Sequence, residues 1–595
     1  MTELSESQSS ADTSSQVEQS QPWFFGAPGK ELFCWVHGRR KDGPSRIGAV
    51  VCGTLGVESL SSHRQLRILA ESLAEHGIPT VRFDYAGSGD SVDPPGTLDY
   101  ATCIDNVRTA IRFAKTHCSI EHVVVVGLRL GSIFAVKAAE LENVSGLVLW
   151  GPVVSGKRFA REWSMMAQRS ESDGQAGNQT INANGFLLSR KFLDDLTASS
   201  LLQAEPRRPL SCLVVEREEL SPEDKLVVRL KEIGVVTDRC RPGGFMAGMI
   251  AEPHLTEVPS AAIRTIREWI ADIGRKQSDS RAEYMPPPVR ITKTITLPDD
   301  QDAAGVRTRE RFLDLNDTDG VFGIITEPVV PGDWNGQCIV LLNAGSAPHI
   351  GPNRMHVEFA RRLASQGSRV CRADLRGIGD SPGVAGSRQN DPYPASAVDD
   401  VSRILRALTS SGGCSRIALA GLCSGAWASF HGALGLDGIT DIVLINPDFY
   451  GERSVVGKPA SFIRPKDYSH YKHSARSWAK WKKLLMGRAN VGKIVRVLWN
   501  QTLLTLASFK LRMAGEHHQL DKDLAGLAIS RVRVGFIFSP GDGGADFLRV
   551  NGRLGVEQLR QAGLLREVTI SDADHPFSLP GAKHRLSDTL SEWLR

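Results

Sequence analysis

The stretch IALAGLCSGAWAS, residues 417–429, joins an apolar run to the tight sequence G-L-C-S-G and then to small residues that favour a helix. This pattern predicts a strand that turns sharply into a helix and presents one side chain at the bend, as in a nucleophile elbow. Serine usually stands at that position, whereas here it is Cys423. An earlier stretch, VVVVGLRLGSIFA at residues 123–135, has the same form with Arg129 at the bend. The sequence therefore predicts two such bends, one with a thiol and one with a cation.

The two bends lie in halves of the chain that resemble each other. The motif R-x-D-x-x-G-x-G-D-S begins at Arg82 in the first half and at Arg372 in the second. From the Asp of this motif to the first Gly of the bend is 43 residues (84 to 127) in one half and 47 residues (374 to 421) in the other. We therefore predict two homologous α/β modules, in which a mainly parallel sheet is flanked by helices on both faces.

The length and composition suit two large domains. A chain of 595 residues, of which 41% are hydrophobic and 23% charged, is long enough to bury two cores. The polar N-terminus predicts a disordered tail, and a polar, proline-rich stretch in the middle predicts a linker. We expect a tail at 1–21, a first module at 22–275, a linker at 276–290 and a second module at 291–595.

The composition also narrows the class of protein. No apolar run reaches the roughly 18 residues that a membrane-spanning helix needs, and residues 1–21 lack the pattern of a signal peptide. The ten cysteines stand at irregular spacings without a C-x-x-C pair, which favours reduced thiols over disulfides or a zinc site. We expect a cytoplasmic protein with no membrane span, no metal and no cofactor.

Chain order suggests partners for the Cys423 thiol, because an α/β-hydrolase presents nucleophile, acid and base in that sequence on loops after strands. Asp542 lies in a glycine-rich turn after an apolar run, and His575 lies in the loop after the next short strand. We predict a catalytic triad of Cys423, Asp542 and His575. Structural roles are the alternative for each: a buried thiol, a turn carboxylate and a loop cap. Three neighbouring carboxylates are alternatives for orienting the imidazole: Asp546, Asp572 and Asp574.

Negative charge that develops on a carbonyl oxygen during acyl transfer requires backbone N–H donors. The fold supplies one from the residue after the nucleophile, Ser424, and one from the loop after an early strand, here Ala344 and Gly345 in LLNAGSA. We predict that these residues form the oxyanion hole. Ordinary turn residues are the alternative interpretation of that loop.

The first module has the outline of the same site without a reactive atom, because Arg129 cannot act as a nucleophile at any accessible pH. It retains His254 in AEPHLTEVP and an acidic stretch in which Glu219 is the expected counterpart of the triad acid. We predict a pseudoenzyme module in which Arg129 pairs with Glu219 as a structural plug. Binding of an anionic group at the vacated site is the alternative.

A basic insertion predicts a helical lid at about 451–525 of the second module. Residues 451–520 contain 14 Lys and Arg residues and 3 Asp and Glu residues, whereas the whole chain has a net charge of +4. Such a lid suits acyl-CoA phosphates, an acidic acyl carrier protein or an anionic glycan; a solvated amphipathic lid is the alternative. The sequence lacks the motifs with which proteins read a nucleic-acid groove, so we expect no nucleic-acid partner. The candidate substrate contacts interleave aromatic and cationic side chains: Trp478, Trp481, Lys482, Lys483 and Arg488.

The second module, with LLNAGSAPHIGPNR, RADLRGIGDSP, GLCSGA and INP (445–447), resembles the α/β-hydrolases found beside exosortase and exopolysaccharide genes and in natural-product gene clusters. The first, with TVRFDYAGSGDS and EPHLTEVP, resembles a companion member of that group. The resemblance implies two tandem α/β-hydrolase-fold domains, each with a helical lid insertion, and a hydrolase or acyltransferase activity. The set of Cys, Asp and His is similar to that of dienelactone hydrolases and polyhydroxyalkanoate synthases.

A thiol nucleophile favours acyl transfer, because a thioester intermediate stays open to attack by amines, thiols and alcohols. We therefore predict a thioesterase or acyltransferase that acts on an acyl thioester of CoA or a carrier protein, in natural-product or exopolysaccharide biosynthesis. Hydrolysis of a small ester or lactone is one alternative, and a non-catalytic binding protein is another. The oligomeric state is open, and we expect the tandem to mimic a dimer of single-module relatives.

Overall fold

In a computed structural model the chain forms two units, and most contacts of each residue lie within its own unit. Unit 1 comprises Met1–Phe312 and Asn353–Arg361, and unit 2 comprises Leu313–Pro352 and Arg362–Arg595. The structure describes these parts of the chain: 18–41, 43–94, 98–166, 180–207, 210–221, 223–276, 286–298, 306–316, 318–410, 412–450 and 518–595.

Unit 1 is built on a nine-stranded sheet and a separate antiparallel hairpin, β7 with β8. Its first eleven strands are β1 Gln21–Phe25, β2 Leu32–His37, β3 Ser45–Cys52, β4 Thr80–Phe83, β5 Ile120–Leu128, β6 Gly146–Trp150, β7 Thr180–Ala183, β8 Phe186–Ser189, β9 Ser211–Val215, β10 Val236–Cys240 and β11 Ile291–Thr292. All of these except β7 and β8 form the nine-stranded sheet, in the order β10-β9-β6-β5-β3-β4-β2-β1-β11. The pairs from β10 to β4 are parallel, and β2 runs antiparallel to β4. Two short strands, β12 Thr294–Thr296 and β13 Thr308–Phe312, pair with each other.

Unit 2 repeats this architecture. Its strands are β14 Gly323–Pro328, β15 Gln337–Leu342, β16 Arg369–Ala373, β17 Arg416–Leu422, β18 Asp441–Ile445, β19 Arg533–Phe538 and β20 Leu565–Thr569. Their order is β14-β16-β15-β17-β18-β19-β20. This is the order of the equivalent strands of unit 1, β2-β4-β3-β5-β6-β9-β10, and β14 is likewise antiparallel to its neighbour β16.

Helices connect the strands and cover the sheets. Those of unit 1 are Val57–Glu75, Tyr100–His117, Gly131–Ala139, Gly156–Met166, Arg190–Ala198, Asp224–Glu232, Phe245–Met249 and Ser260–Lys276. Those of unit 2 are Ala397–Thr409, Ser424–Gly435, Gln519–Ile529, Gly543–Asn551, Arg553–Gln561 and Pro580–Leu594, while Met355–Ala364 has residues in both units. Short 3₁₀ turns are Leu201–Gln203, Pro253–Leu255, Pro331–Asp333 and Pro352–Arg354. Because helices cover both faces, the central strands are almost continuously apolar and buried.

The repeated R-x-D-x-x-G-x-G-D-S motif begins at the end of β4 in unit 1 and of β16 in unit 2, and it continues into a buried turn. In unit 2 the Asp374 carboxylate accepts a hydrogen bond from Asp380 N (2.9 Å). The Ser381 hydroxyl donates to Asp374 O (2.7 Å) and accepts from Phe322 N (2.8 Å). The motif therefore ties one end of the parallel sheet to the antiparallel strand beside it.

Unit 1 makes the same three hydrogen bonds. Asp84 accepts from Asp90 N (3.0 Å), and Ser91 Oγ donates to Asp84 O (2.7 Å) and accepts from Phe33 N (2.9 Å). Burial, the largest cause, raises the pKa of Asp84 to about 6. The two motifs are thus structural equivalents, and neither belongs to the bend where Cys423 or Arg129 stands.

The prediction of two tandem modules, each with a mainly parallel sheet between helices, is confirmed. We expected the second module to begin at 291, whereas unit 1 extends to Phe312. One reason is that Ile291 and Thr292 pair with Phe25 and Phe24 at the edge of the first sheet.

Three predicted segments lie outside the described residues in whole or in large part: the tail up to 17, the linker between 277 and 285, and the lid between 451 and 517. In the parts of the chain that the structure describes, no helix is both long enough and apolar enough to span a bilayer.

Candidate active site

The bend after β17 holds Cys423 in a left-handed backbone conformation, with φ 57° and ψ −110°. Such a conformation is strained for any residue other than glycine. It directs the half-buried thiol away from the strand just before the helix Ser424–Gly435 begins. The flanking glycines make the sharp bend sterically possible, because a Cβ on Gly425 would lie 2.6 Å from Leu342 O and one on Gly421 would meet the backbone of Gly425.

The acid and the base follow the second and third strands along the sheet from β17. Asp542 follows β19 and His575 follows β20, and both strands run parallel to β17 through β18. Their loops therefore leave the same edge of the sheet as the bend. Asp542 Oδ1 accepts from Gly544 N (2.8 Å), which fixes the carboxylate at the start of a helix. Its Oδ2 is hydrogen-bonded to His575 Nδ1 at 2.9 Å.

The imidazole of His575 connects the carboxylate to the thiol. The pKa of His575 rises from the usual 6.5 to about 10. Its hydrogen bond to the Asp542 carboxylate is the largest cause, and its interaction with Cys423 is the second. Its side chain is 49% exposed, whereas that of Asp542 is 9% exposed. A buried carboxylate thus holds a solvent-accessible imidazole near the thiol, and the raised pKa favours the protonated form of the ring.

The three alternative carboxylates have other partners or positions. Asp546 forms an ion pair with Arg549 one turn along its own helix. Asp574 accepts hydrogen bonds from the backbone and hydroxyl of Ser578. Asp572 is exposed and stands in a left-handed turn. Of the four candidates, Asp542 is the carboxylate that the structure brings to His575.

The predicted oxyanion donors divide into two groups. The N–H of Gly345 donates to Ser424 Oγ (2.8 Å), so this group is already used within the protein. The N–H groups of Ala344 and Ser424 have no acceptor among the described residues. The Ser424 side chain therefore fixes the loop after β15, and the backbone of Ala344 and Ser424 provides the donors free to meet an oxyanion.

The first unit has the same bend with different chemistry. Arg129 has φ 51°, and its N–H donates to Trp150 O (3.0 Å), just as Cys423 N–H donates to Ile445 O (2.9 Å). The Arg129 side chain, however, folds onto Glu58, with Nη2 and Nε lying 3.0 and 3.1 Å from Oε1.

This partly buried pair corrects the expectation that Arg129 pairs with Glu219. Glu58 stands in the first turn of the helix Val57–Glu75, directly after the loop equivalent to Ala344 and Gly345, so it is closer to the bend. Glu219 instead accepts from Met246 N (3.2 Å), and His254 lies 3.7 Å from Glu252. The carboxylate of the plug therefore comes from the oxyanion side of the site. The pattern G-T-L-G-V-E after an early strand is the signal that would have found it.

One group of potential metal ligands occurs in the described residues: His349, Asp374 and Asp380. Asp374 Oδ1 accepts from Asn343 Nδ2 and His349 N, and Oδ2 is bonded to His349 Nδ1 and Asp380 N, at 2.6 to 2.9 Å. Both oxygens thus accept hydrogen bonds from protein groups, and this donor set fits a structural hydrogen-bond centre better than a cation. The candidate substrate contacts of the lid, Trp478, Trp481, Lys482, Lys483 and Arg488, lie outside the described residues.

The profile of the serine aminopeptidase S33 family matches residues 49–174, in the first unit. Among solved structures, Est1E from Butyrivibrio proteoclasticus has a TM-score of 0.33 and 15% identity over 44% of this chain and all of its own. An esterase from Pyrobaculum calidifontis has a TM-score of 0.32 and 18% identity over 45% of this chain and 90% of its own. A search of curated protein sequences found no significant match.

The strand order, the two bends and the family match define each unit as an α/β-hydrolase fold. The expectation of tandem domains of this fold is thereby confirmed.

Replacing Gly425 with Ala tests the close packing at the bend. The new Cβ would lie 2.6 and 2.7 Å from the carbonyl oxygens of Leu342 and Asn343, which are backbone atoms of a sheet edge and cannot rotate away. We expect Gly425→Ala to reduce the free energy of unfolding by about 1–3 kcal/mol, as measured by urea titration. Gly526→Ala is the matched control in another helix of unit 2, where nothing lies within 4 Å of the added carbon. It should leave stability equal or higher by up to about 1 kcal/mol; equal effects at the two sites would contradict the packing.

A double-mutant cycle tests the Arg129–Glu58 plug. Arg129 is only 8% exposed, so removing its partner leaves a buried charge without compensation. We expect Glu58→Gln and Arg129→Met each to lower the unfolding free energy by about 2–3 kcal/mol, and the double variant to cost clearly less than their sum. Lys191→Met, which breaks the exposed pair with Asp195, should leave unfolding unchanged. Additive single effects at Arg129 and Glu58 would refute the plug.

Proposed function

We propose that unit 2 is a cysteine-dependent acyl-transfer enzyme, a thioesterase or acyltransferase that forms a covalent acyl-enzyme on Cys423. The observation that carries this proposal is the hydrogen bond between Asp542 and His575, together with the contribution of Cys423 to the raised pKa of that imidazole. A nucleophile, a base within hydrogen-bond reach and a carboxylate that orients the base are the three parts that covalent acyl transfer requires.

Before the first step, the ring nitrogen of His575 that Asp542 does not occupy holds the proton of the Cys423 thiol, in line with the raised pKa of the imidazole. The sulfur forms a bond with the acyl carbonyl carbon, and the carbonyl π electrons move to oxygen. The N–H groups of Ala344 and Ser424 supply hydrogen bonds to this oxyanion. The tetrahedral intermediate then reforms its carbonyl and breaks the bond to the leaving thiol, which takes the proton from the His575 imidazolium.

In the second step, the acyl group leaves Cys423. His575 accepts a proton from the incoming nucleophile, which is water for a thioesterase or an amine, thiol or alcohol for an acyltransferase. The nucleophile bonds to the carbonyl carbon, the carbon–sulfur bond breaks, and the imidazolium returns its proton to the sulfur. Asp542 remains ionised throughout and stabilises the positive imidazolium.

An acyl thioester of CoA or of an acidic carrier protein is the substrate class we propose. A thiol nucleophile exchanges with a thioester at nearly balanced free energy. The sequence between 451 and 520, with 14 cationic and 3 anionic residues, supports a phosphate-bearing or acidic partner. A cytoplasmic location fits the ten cysteines, all of which are free thiols in the structure. Unit 1, with Arg129 at its bend, is on this proposal non-catalytic.

Release of the leaving thiol tests the function directly. We expect the protein to release CoA from acyl-CoA thioesters of suitable chain length, with a higher kcat/KM than for p-nitrophenyl esters of the same acyl groups. Cys423→Ala should reduce kcat/KM by about 10³-fold or more, because it removes the nucleophile.

Cys414→Ala is the matched control, since Cys414 is a partly exposed thiol two residues before β17, at the end of that strand opposite to Cys423. Faster turnover of oxygen esters or lactones, lost in Cys423→Ala, would replace the thioester assignment by ester hydrolysis. Full activity of Cys423→Ala would refute the proposed nucleophile.

Asp542→Asn tests the electrostatic role of the acid. The hydrogen bond from Asp542 is the largest cause of the raised pKa of His575, so the variant should lower that pKa from about 10 toward the usual 6.5. In the wild type this interaction stabilises the fold fully below about pH 6.5 and is lost as pH rises through about 10. That loss on the alkaline side should shrink in the variant. The pKa is measured from the imidazole Cε1 proton by NMR.

Asp546→Asn is the control for this titration, since Asp546 pairs with Arg549. An imidazole pKa that falls in Asp546→Asn and not in Asp542→Asn would identify Asp546 as the acid.

A further inference from the structure

Asn446 follows β18 directly and is the residue at which that strand leaves the sheet. It is 2% exposed and has a left-handed backbone, with φ 43°. Its N–H donates to Ile537 O (2.9 Å), which continues the parallel pairing with β19 by one residue. Its position places the carboxamide at the edge of the sheet where the acid and base loops begin.

The carboxamide of Asn446 bonds to both of those loops. Oδ1 accepts from Ser539 N (2.8 Å), and Nδ2 donates to Ser539 Oγ (3.1 Å) and to His575 O (2.9 Å). Ser539 is the first residue after β19, and its carbonyl accepts from Asp542 N (3.2 Å). One amide therefore links the start of the Asp542 loop to the backbone of His575.

The exposure of His575 explains why such a link is needed. Half of the imidazole surface faces solvent, so packing constrains the ring on one side only. The bond to Asp542 fixes one ring nitrogen, and the bond from Asn446 fixes the main chain of the same residue. Because the two bonds meet different parts of His575 and converge on one loop, a shift of either loop displaces the ring from Cys423.

Unit 1 contains a natural comparison for Asn446. The equivalent residue is Gly151, which follows β6, has φ 53° and donates its N–H to Val215 O (2.8 Å). It has no side chain, and a Cβ there would lie 2.5 Å from the Phe245 ring. The unit whose bend carries Arg129 thus also lacks the amide that joins the two loops.

We propose that Asn446 is a positioning residue, whose buried carboxamide holds the Asp542 and His575 loops in register so that the imidazole meets Cys423. This proposal rests on the proposed function, since it assigns Asn446 to the same site. Asn446 contacts neither substrate nor the thiol, and it acts through the base that it places.

The test compares Asn446→Gly, which reproduces unit 1, with Asn551→Ala. Asn551 is also a buried asparagine of unit 2, but its Nδ2 donates to Phe547 O within its own helix, away from the site. Three quantities are measured on the full chain: the urea midpoint, the pKa of His575 by NMR, and the rate of Cys423 alkylation by iodoacetamide at pH 7. We expect Asn446→Gly to lower the pKa of His575 and to slow alkylation by about 10- to 100-fold, the size typical of a misplaced reacting group.

Asn551→Ala should change the urea midpoint without changing the titration or the alkylation rate. Asn446→Asp is the second variant, used in case the glycine variant does not fold: it keeps the shape and the acceptor for Ser539 N and loses both donated bonds. It should also slow alkylation. Wild-type values of His575 pKa and alkylation rate in a folded Asn446 variant would overturn the proposal, as would equal losses in Asn551→Ala. These readouts require no substrate, so they stand even if no acyl thioester is turned over.

Discussion

The left-handed backbone of Cys423 is the constraint on which the rest of the site depends. One bend turns the strand β17 into the helix Ser424–Gly435, and only the absence of side chains at Gly421 and Gly425 allows the two to approach. Strain of this kind persists where the surrounding sheet and helix over-determine the backbone. The bend places the thiol at the sheet edge where the loops after β19 and β20 also begin. The parallel order of the strands therefore brings Cys423, Asp542 and His575 to one edge.

The bend at Arg129 has the same backbone geometry as the bend at Cys423 but carries a different side chain. Unit 1 keeps the left-handed residue, the hydrogen bond to the next strand and the turn of the R-x-D-x-x-G-x-G-D-S motif, yet its reactive position is a guanidinium. A buried cation must find a carboxylate, and Glu58 supplies it from the start of the helix whose counterpart region in unit 2 provides oxyanion donors. At the base loop, Gly151 stands where unit 2 has Asn446. The arginine at the bend of unit 1 is therefore accompanied by differences from unit 2 on both sides of that bend.

Much of this follows from the sequence, because the determining signals are local or repeated. The two motifs and their spacing predict two equivalent modules, and chain order predicts that Asp542 and His575 lie near Cys423. The errors concern partners chosen across elements. Glu58, and not Glu219, pairs with Arg129, and Gly345 N–H donates to Ser424 Oγ, because distances between separate elements of the folded sheet decide these contacts. Asn446 stands in the sequence INP, but its contacts depend on how close two loops lie, and only the folded sheet sets that distance.

The central claim is that Cys423 is a nucleophile activated by His575, and its most direct test is the mass of the intact protein after brief exposure to an acyl-CoA thioester. We expect a single added acyl group, mapped by proteolysis to the peptide that contains Cys423 and released by hydroxylamine. The adduct should be absent from Cys423→Ala and should form more slowly in His575→Ala. Acylation of another residue, or an unreactive Cys423 in the folded protein, would contradict the account and leave unit 2 as a binding module with an inert thiol.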